Sequence, residues 1–226
     1  MTVSQVHEPK WRRTPEERPH QILVAAFEVF GARGLAGARL EDIAKRAGVS
    51  KGTIYLYFPN KEALFKEMIA QTIVAHLERT ERTLGDDRRT SAAAQIRDYM
   101  RQWWALMRSA EYQTVHRLVI GELHRFPELV EFYWREVVVR KQQLVDRLMR
   151  RGIESGEFRQ IDPCVAGRIM ASMFASHALW RNAPVCRADL ASLSDQQVFD
   201  QLMDFFFHAV APRKDKPART RRSASR

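Results

Sequence analysis

Between residues 50 and 61 the sequence reads SKGTIYLYFPNK. Lys51, Thr53, Tyr55 and Tyr57 fall within seven residues, and Lys61 follows shortly after. This set offers one cation, one small hydroxyl and two rings that end in hydroxyls. It can hydrogen-bond phosphates and base edges, but it holds no nucleophile–base pair and no metal-ligand set. Lys51 stands where a helix would begin, and the backbone N–H groups of a helix start favour phosphate. Gly52 has no side chain, so the backbone there can approach a duplex closely. Thr53 can bond a phosphate or offer its methyl group to thymine. Each residue alone has a plainer explanation: Tyr55 or Tyr57 is as readily a packing residue, and a lysine at a helix start is usually just solvated. The combination at this spacing is what points to DNA.

These side chains need a scaffold that turns them outward. LEDIAKRAG (residues 40–48) has Leu40, Ile43, Ala44 and Ala47 at helical spacing and ends on Gly48, which permits a left-handed stop. Val49 plugs the turn, and Ser50 is placed to cap a second short helix, KGTIYLYF. Phe58–Pro59 closes that helix, because a residue before proline avoids the helical region. A helix, a glycine turn and a second short helix make a helix-turn-helix, whose second member enters the major groove. The preceding helix, HQILVAAFEVFGARG, starts near Pro19 and stops at Gly34. Asn60 caps a longer helix that runs to Leu84.

The rest of the chain keeps the same helical periodicity, and strand alternation is missing. Helices are expected over Ala92–Arg108, Glu111–Phe126 and Pro127–Glu154, then from Asp162–Pro163 and from Ser194. In the last, SDQQ has the pattern of a capping box closed by Gln197. The fold expected is therefore all-α. The 226 residues carry 37 Lys and Arg against 27 Asp and Glu, a formal charge of +10. That excess suits a polyanionic partner, but much of it sits in Arg213, Lys214, Lys216, Arg219, Arg221, Arg222 and Arg226. This polar stretch is expected to be a disordered tail. No apolar run is long enough to cross a bilayer, and the first twenty residues have no secretion signal. Cys164 and Cys186 lack metal spacing and are expected to be reduced thiols in a cytoplasmic protein.

LEDIAKRAGVSKGTIYLYFPNKEALF, preceded by ILVAAFEVFGARG, resembles the DNA-binding domain of TetR-type transcriptional regulators. The likeness covers about Glu17 to Glu67. It implies DNA contacts at Ser50, Lys51, Gly52, Thr53, Tyr55, Tyr57 and Lys61, with Lys61 gripping a flanking phosphate. Arg39 departs from the usual threonine or serine; it can still hold phosphate but caps a helix poorly. The later sequence, with LVIGELHRFPELVEFYWREV and RGIESGEFRQIDP, resembles the AefR-like branch. The expected organisation is a DNA-binding domain over 17–67, a helical ligand-binding and dimerisation domain over 68–211, and flexible tails at 1–16 and 212–226.

One short recognition helix reads few base pairs, each worth roughly 1–3 kcal/mol, so a specific site requires two copies on a palindrome. The last two helices are the expected homodimer interface, through Ala171, Ala175, Ala178, Phe199, Leu202, Met203, Phe206 and Val210. The plainer alternative is that these faces are internal core. Trp103, Trp104, Met107, His116, Tyr133, Trp134, Met173, Phe174 and His177 are large, adaptable side chains that could line a pocket for an apolar or aromatic small molecule. Singly, such residues are usually core; a pocket is what the resemblance implies. His116, His124 and His177 with Glu122 could be imagined as an acid–base or metal site. No HExxH, phosphate loop or nucleophile motif accompanies them, so neither enzyme activity nor a cofactor is expected. The function expected is a ligand-released repressor that binds double-stranded DNA and not membranes.

Overall fold

The computed structural model describes residues 17–84, 90–180 and 192–212. The expected N-terminal tail, nearly all of the basic C-terminal stretch and Cys186 lie outside the described residues. Every element within them is helical. In chain order these are α1 (Arg18–Gly37), α2 (Leu40–Ala47), α3 (Lys51–Tyr57) and α4 (Lys61–Ile69), then a π-helical turn (Ala70–Val74) and α5 (Ala75–Leu84). Next come α6 (Ala92–Met107), α7 (Ala110–Glu122), a 3-10 turn (Leu123–Arg125) and α8 (Pro127–Tyr133). A second π-helical turn (Trp134–Val139) leads to α9 (Arg140–Glu154), followed by α10 (Pro163–Trp180) and α11 (Asp195–Val210).

Local chemistry explains most boundaries. Ser50, Asn60, Ser91 and Ser109 each accept the backbone N–H three residues on. Ser194 and Gln197 form the expected capping box. Gly48 is left-handed (φ 67°, ψ 32°), and its N–H closes on the carbonyls of Ala44 and Lys45. Gly34 (φ 71°, ψ 170°) interrupts α1 where a stop is expected, but a further turn of helix follows to Gly37. Two segments expected to be continuous, Lys61–Leu84 and Pro127–Glu154, each carry a π-helical turn. Such a turn adds one residue and shifts the apolar stripe by part of a turn, a change that apolar spacings of three and four residues do not distinguish from a regular helix.

The chain divides into two compact units, residues 1–76 with 109–134 and residues 77–108 with 135–226. In the first unit α1 packs on α2, α4 and α7, α2 on α3, and α4 on α8. Ile22, Ala26, Phe30, Ile43, Ile54, Leu64 and Phe65 are buried there. Phe30 and Phe65 meet edge to face at 6.1 Å. In the second unit α9 packs on α6 and α10, and α11 on α6 and α10. Phe158, in the loop after α9, lies on Gly152, where a Cβ would stand 2.2 Å from its ring. Arg159 ties the same loop to the end of α11 through its N–H to the Val210 carbonyl and its Nε to the Ala209 carbonyl, both 2.8 Å.

Candidate nucleic-acid interface

The helix-turn-helix forms as expected, and its core is small. Ile54 is fully buried and is the one residue of α3 that is. Burying such a side chain stabilises the unit by about 1.5–3 kcal/mol. It pins α3 against α2, so the residues flanking Ile54 face outward. Lys51, Gly52, Tyr55 and Leu56 are exposed, while Thr53 and Tyr57 are half-exposed. Leu56 is 81% exposed. A leucine so open, one residue from the end of this helix, buries little surface in the fold and leaves an apolar side chain on the outward face. The sequence pattern gave no reason to separate it from the core leucines.

Several of the expected contact residues already have partners. Ser50 Oγ accepts the Thr53 N–H at 3.0 Å and lies 2.8 Å from Thr53 Oγ1, so Ser50 acts first as the cap of α3. Lys51 Nζ pairs with Glu41 Oε1 at 2.9 Å and stands 5.7 Å from the centre of the Tyr55 ring. The Tyr55 hydroxyl donates to the same Glu41 oxygen at 3.2 Å. The lysine beside it holds the Glu41 carboxyl well below its usual range, down to about 2, and the same pairing raises the lysine. Arg39 is exposed at the head of α2 and gives it no side-chain cap, as its residue type predicts.

Lys61 has partners within the chain. Its ammonium donates to the Ala36 carbonyl at 2.9 Å and the Ala38 carbonyl at 3.3 Å. Two of its three N–H bonds are thus spent on the turn between α1 and α2, leaving at most one for a phosphate. Glu122 grips the same turn from α7: its carboxylate accepts the Leu35 N–H at 3.1 Å and the Ala36 N–H at 2.8 Å. Glu122, named with the histidines above, is thus engaged by two backbone amides. His116 is instead buried and stacked on Tyr112 at 5.4 Å.

The expected pocket residues are spread over both units. In the first, besides His116, Trp134 is 53% exposed, and burial pushes the Tyr133 phenol up to about 12. In the second, Trp104 is the hub of an aromatic cluster. It meets Phe174 edge-on at 5.7 Å, His177 stacked at 5.0 Å and Phe199 at 5.7 Å. Met107 is buried and Met173 half-buried. Trp103 is buried under the ammonium of Lys141, 3.8 Å from the ring centre, and desolvation pulls that amine down to about 8. Lys141 was not foreseen, because a lysine on an amphipathic helix usually reaches solvent. An open cleft of about 500 Å³ lies elsewhere in this unit, lined by Arg97, Glu157, Phe158 and Phe207 among others, and uses none of the expected pocket residues.

The expected dimer residues divide in two. Phe199, Met203, Phe206 and Val210 are at most 2% exposed within their own chain, so they have no surface to give to a partner. The apolar stripe of α11 is spent on α6 and α10, which corrects their assignment as interface contacts. Ala171 and Ala175 are exposed, and Ala178 and Leu202 are half-buried. Among the described residues, the large apolar side chains left open on these two helices are Val165, Ile169 and Phe205.

Comparison with known proteins agrees with this geometry. Residues 22–68 match "Bacterial regulatory proteins, tetR family". Residues 94–211 match "AefR-like transcriptional repressor, C-terminal domain". The chain belongs to the TetR family of transcriptional regulators. Among TetR-family relatives, it is 30% identical over 201 residues to the HTH-type transcriptional regulator RutR of Escherichia coli K12, spanning 86% of this chain and 89% of that one. It is 32% identical over 157 residues to the fatty acid metabolism regulator protein of Bacillus subtilis, spanning 64% and 74%. Its fold is shared by SmeT, the repressor of the Stenotrophomonas maltophilia multidrug efflux pump SmeDEF. In complex with triclosan, SmeT is 19% identical with a TM-score of 0.69, covering 87% of this chain and 93% of that one.

Proposed function

We propose that this TetR-family regulator binds a palindromic operator as a homodimer, represses transcription, and is released by a small molecule held in its second unit. The observation that carries the DNA role is the outward face of α3, whose one buried residue is Ile54. On this reading residues 17–67 are the DNA reader and 68–211 the effector and dimerisation region. Lys51, Tyr55 and Tyr57 contact the sugar-phosphate backbone and base edges. Thr53 and Leu56 offer methyl groups to the major groove, and Arg39 braces the flanking backbone. Lys61 serves chiefly to fix the turn that supports α2.

Two recognition helices reading one duplex must lie one helical turn apart, about 34–36 Å, which demands a two-fold partner. The open apolar side chains Val165, Ile169 and Phe205, with Ala171 and Ala175, support α10 and α11 as that interface. The aromatic cluster around Trp104 and the pair Trp103–Lys141 support a site for an apolar or aromatic effector. Such an effector acts only by binding the DNA-competent and released forms with different affinity. The protein acts in the cytoplasm on this reading, since its ligand is the chromosome.

The test is binding of duplexes selected from a random pool by the intact protein. Selection should yield a palindrome. Thr53→Ala and Tyr57→Ala should weaken its binding at least tenfold while circular dichroism and oligomeric state stay unchanged. Unaltered binding by both variants contradicts the assignment of α3 as the reader.

A further inference from the structure

Glu41 is an acid on a surface built to meet a polyanion. It is 44% exposed at its side chain, yet it is not idle: one of its oxygens takes both the Lys51 ammonium, at 2.9 Å, and the Tyr55 hydroxyl, at 3.2 Å. Glu41 belongs to α2, and both partners belong to α3. Lys51 and Tyr55 are one helical turn apart, and the ammonium also faces the Tyr55 ring. The three side chains therefore form a closed set across the two helices of the motif.

Two opposite effects follow from general electrostatics. A carboxylate on the DNA-facing surface opposes the phosphate backbone and cancels most of the charge of Lys51, which weakens sequence-independent binding. The same carboxylate fixes two long side chains in one geometry before DNA arrives, so less conformational entropy is lost when they are used. A lysine has three N–H bonds, so pairing with Glu41 leaves two for DNA. A tyrosine hydroxyl that donates to Glu41 has no proton left for a phosphate but can still accept from the amino group of a cytosine or adenine. The set can therefore persist in a correctly registered complex, whereas a loosely docked duplex meets only a neutralised patch.

We infer that Glu41 is a positioning residue that sets sequence discrimination: it holds Lys51 and Tyr55 in reading geometry and at the same time suppresses their use as plain phosphate contacts. The inference rests on α3 being the DNA reader, and it assigns to α2 a role in specificity beyond bracing. A penalty on the wrong duplex widens the gap to the right one.

The test compares two probes, the duplex selected by the wild-type protein and a scrambled duplex of equal length, using fluorescence anisotropy over a range of salt. Glu41→Gln removes the charge and keeps the shape. It should tighten binding to the scrambled duplex about threefold to tenfold and steepen the salt slope by about one to two, as one further phosphate per subunit is neutralised. On the selected duplex it should give no gain or a loss, so the discrimination ratio falls. Glu41→Asp keeps the charge and shortens the reach; it should leave the scrambled duplex unchanged and weaken the selected one. Equal gains for Glu41→Gln on both duplexes would reduce Glu41 to simple charge repulsion and overturn the inference. So would no change on either, or an Asp variant equal to wild type on both. A wild-type protein that selects no sequence at all would instead refute the DNA-reading function itself. Thermal melts check that both exposed-site variants remain folded.

Discussion

At the scale of single residues, the surface of α3 separates what folds the motif from what the motif presents. Ile54 is fully buried and Leu56 is 81% exposed, although both are aliphatic and only two positions apart. Leu56→Ala should therefore change stability by no more than about 0.5 kcal/mol. It should weaken operator binding about tenfold, within the range of one apolar base contact; a melt and an anisotropy titration on the same sample separate the two effects. Lys141 makes a different residue-scale claim. Its amine is pulled down to about 8 by burial over Trp103, whereas an unfolded lysine keeps its proton to about 10.4. Between those pH values the unfolded chain binds the extra proton, so stability rises with pH from about 8 to about 10.4. Lys141→Met should raise the melting temperature at pH 7, and its advantage should shrink by pH 10. A constant difference across that window would show that the amine is not desolvated.

At the scale of elements, the turn between α1 and α2 is held from two sides. Lys61 of α4 takes its carbonyls, and Glu122 of α7 takes its amides, with Gly34 leaving room for the carboxylate: a Cβ there would fall 2.3 Å from Glu122 Oε1. Glu122→Gln should lower stability by about 1–2 kcal/mol, the range of a charge-assisted hydrogen bond that is partly solvated. Hydrogen exchange should accelerate at Leu35 and Ala36, while Thr53, whose N–H is capped by Ser50, keeps its protection. Exchange that rises equally at all three would mean global loosening instead. The same elements show what a sequence discloses. The caps at Ser50, Asn60 and Ser194, and the glycine stop at Gly48, were legible because each is decided within four residues. The clamp by Glu122 joins positions 86 and 87 residues apart. The Glu41–Lys51–Tyr55 set depends on how α2 meets α3. Neither leaves a mark in local periodicity. The π-helical turns were hidden because each adds a single residue, and the steps of four through Phe65, Ile69, Ile73 and Leu77 still pass for a regular helix.

At the scale of the whole molecule, the proposed two-fold pairing would decide whether α3 can read a full operator. The sequence showed that α10 and α11 are rich in apolar residues, but not which side each helix spends on its own chain. Phe199, Met203, Phe206 and Val210 proved internal, whereas Val165, Ile169 and Phe205 are open. An amphipathic stripe has the same appearance in both roles, and only the packing partners α6 and α10 settle it. Phe205→Asp and Ile169→Asp should therefore yield folded monomers by sedimentation, with operator affinity falling at least a hundredfold as the second half-site is lost. Phe206→Asp should instead unfold the second unit, because an unpaired charge would be buried there. Dimers that persist in both surface variants would move the interface elsewhere.

The central claim is that α3 lies in the major groove of two half-sites at once, and methylation interference on the selected duplex measures this directly. Dimethyl sulfate marks guanine N7 in the major groove and adenine N3 in the minor groove. The account predicts interference at N7 positions in two clusters about 10 base pairs apart, both lost when Thr53 and Tyr57 are replaced by alanine. Interference confined to adenine N3, or a pattern indifferent to those substitutions, would contradict it.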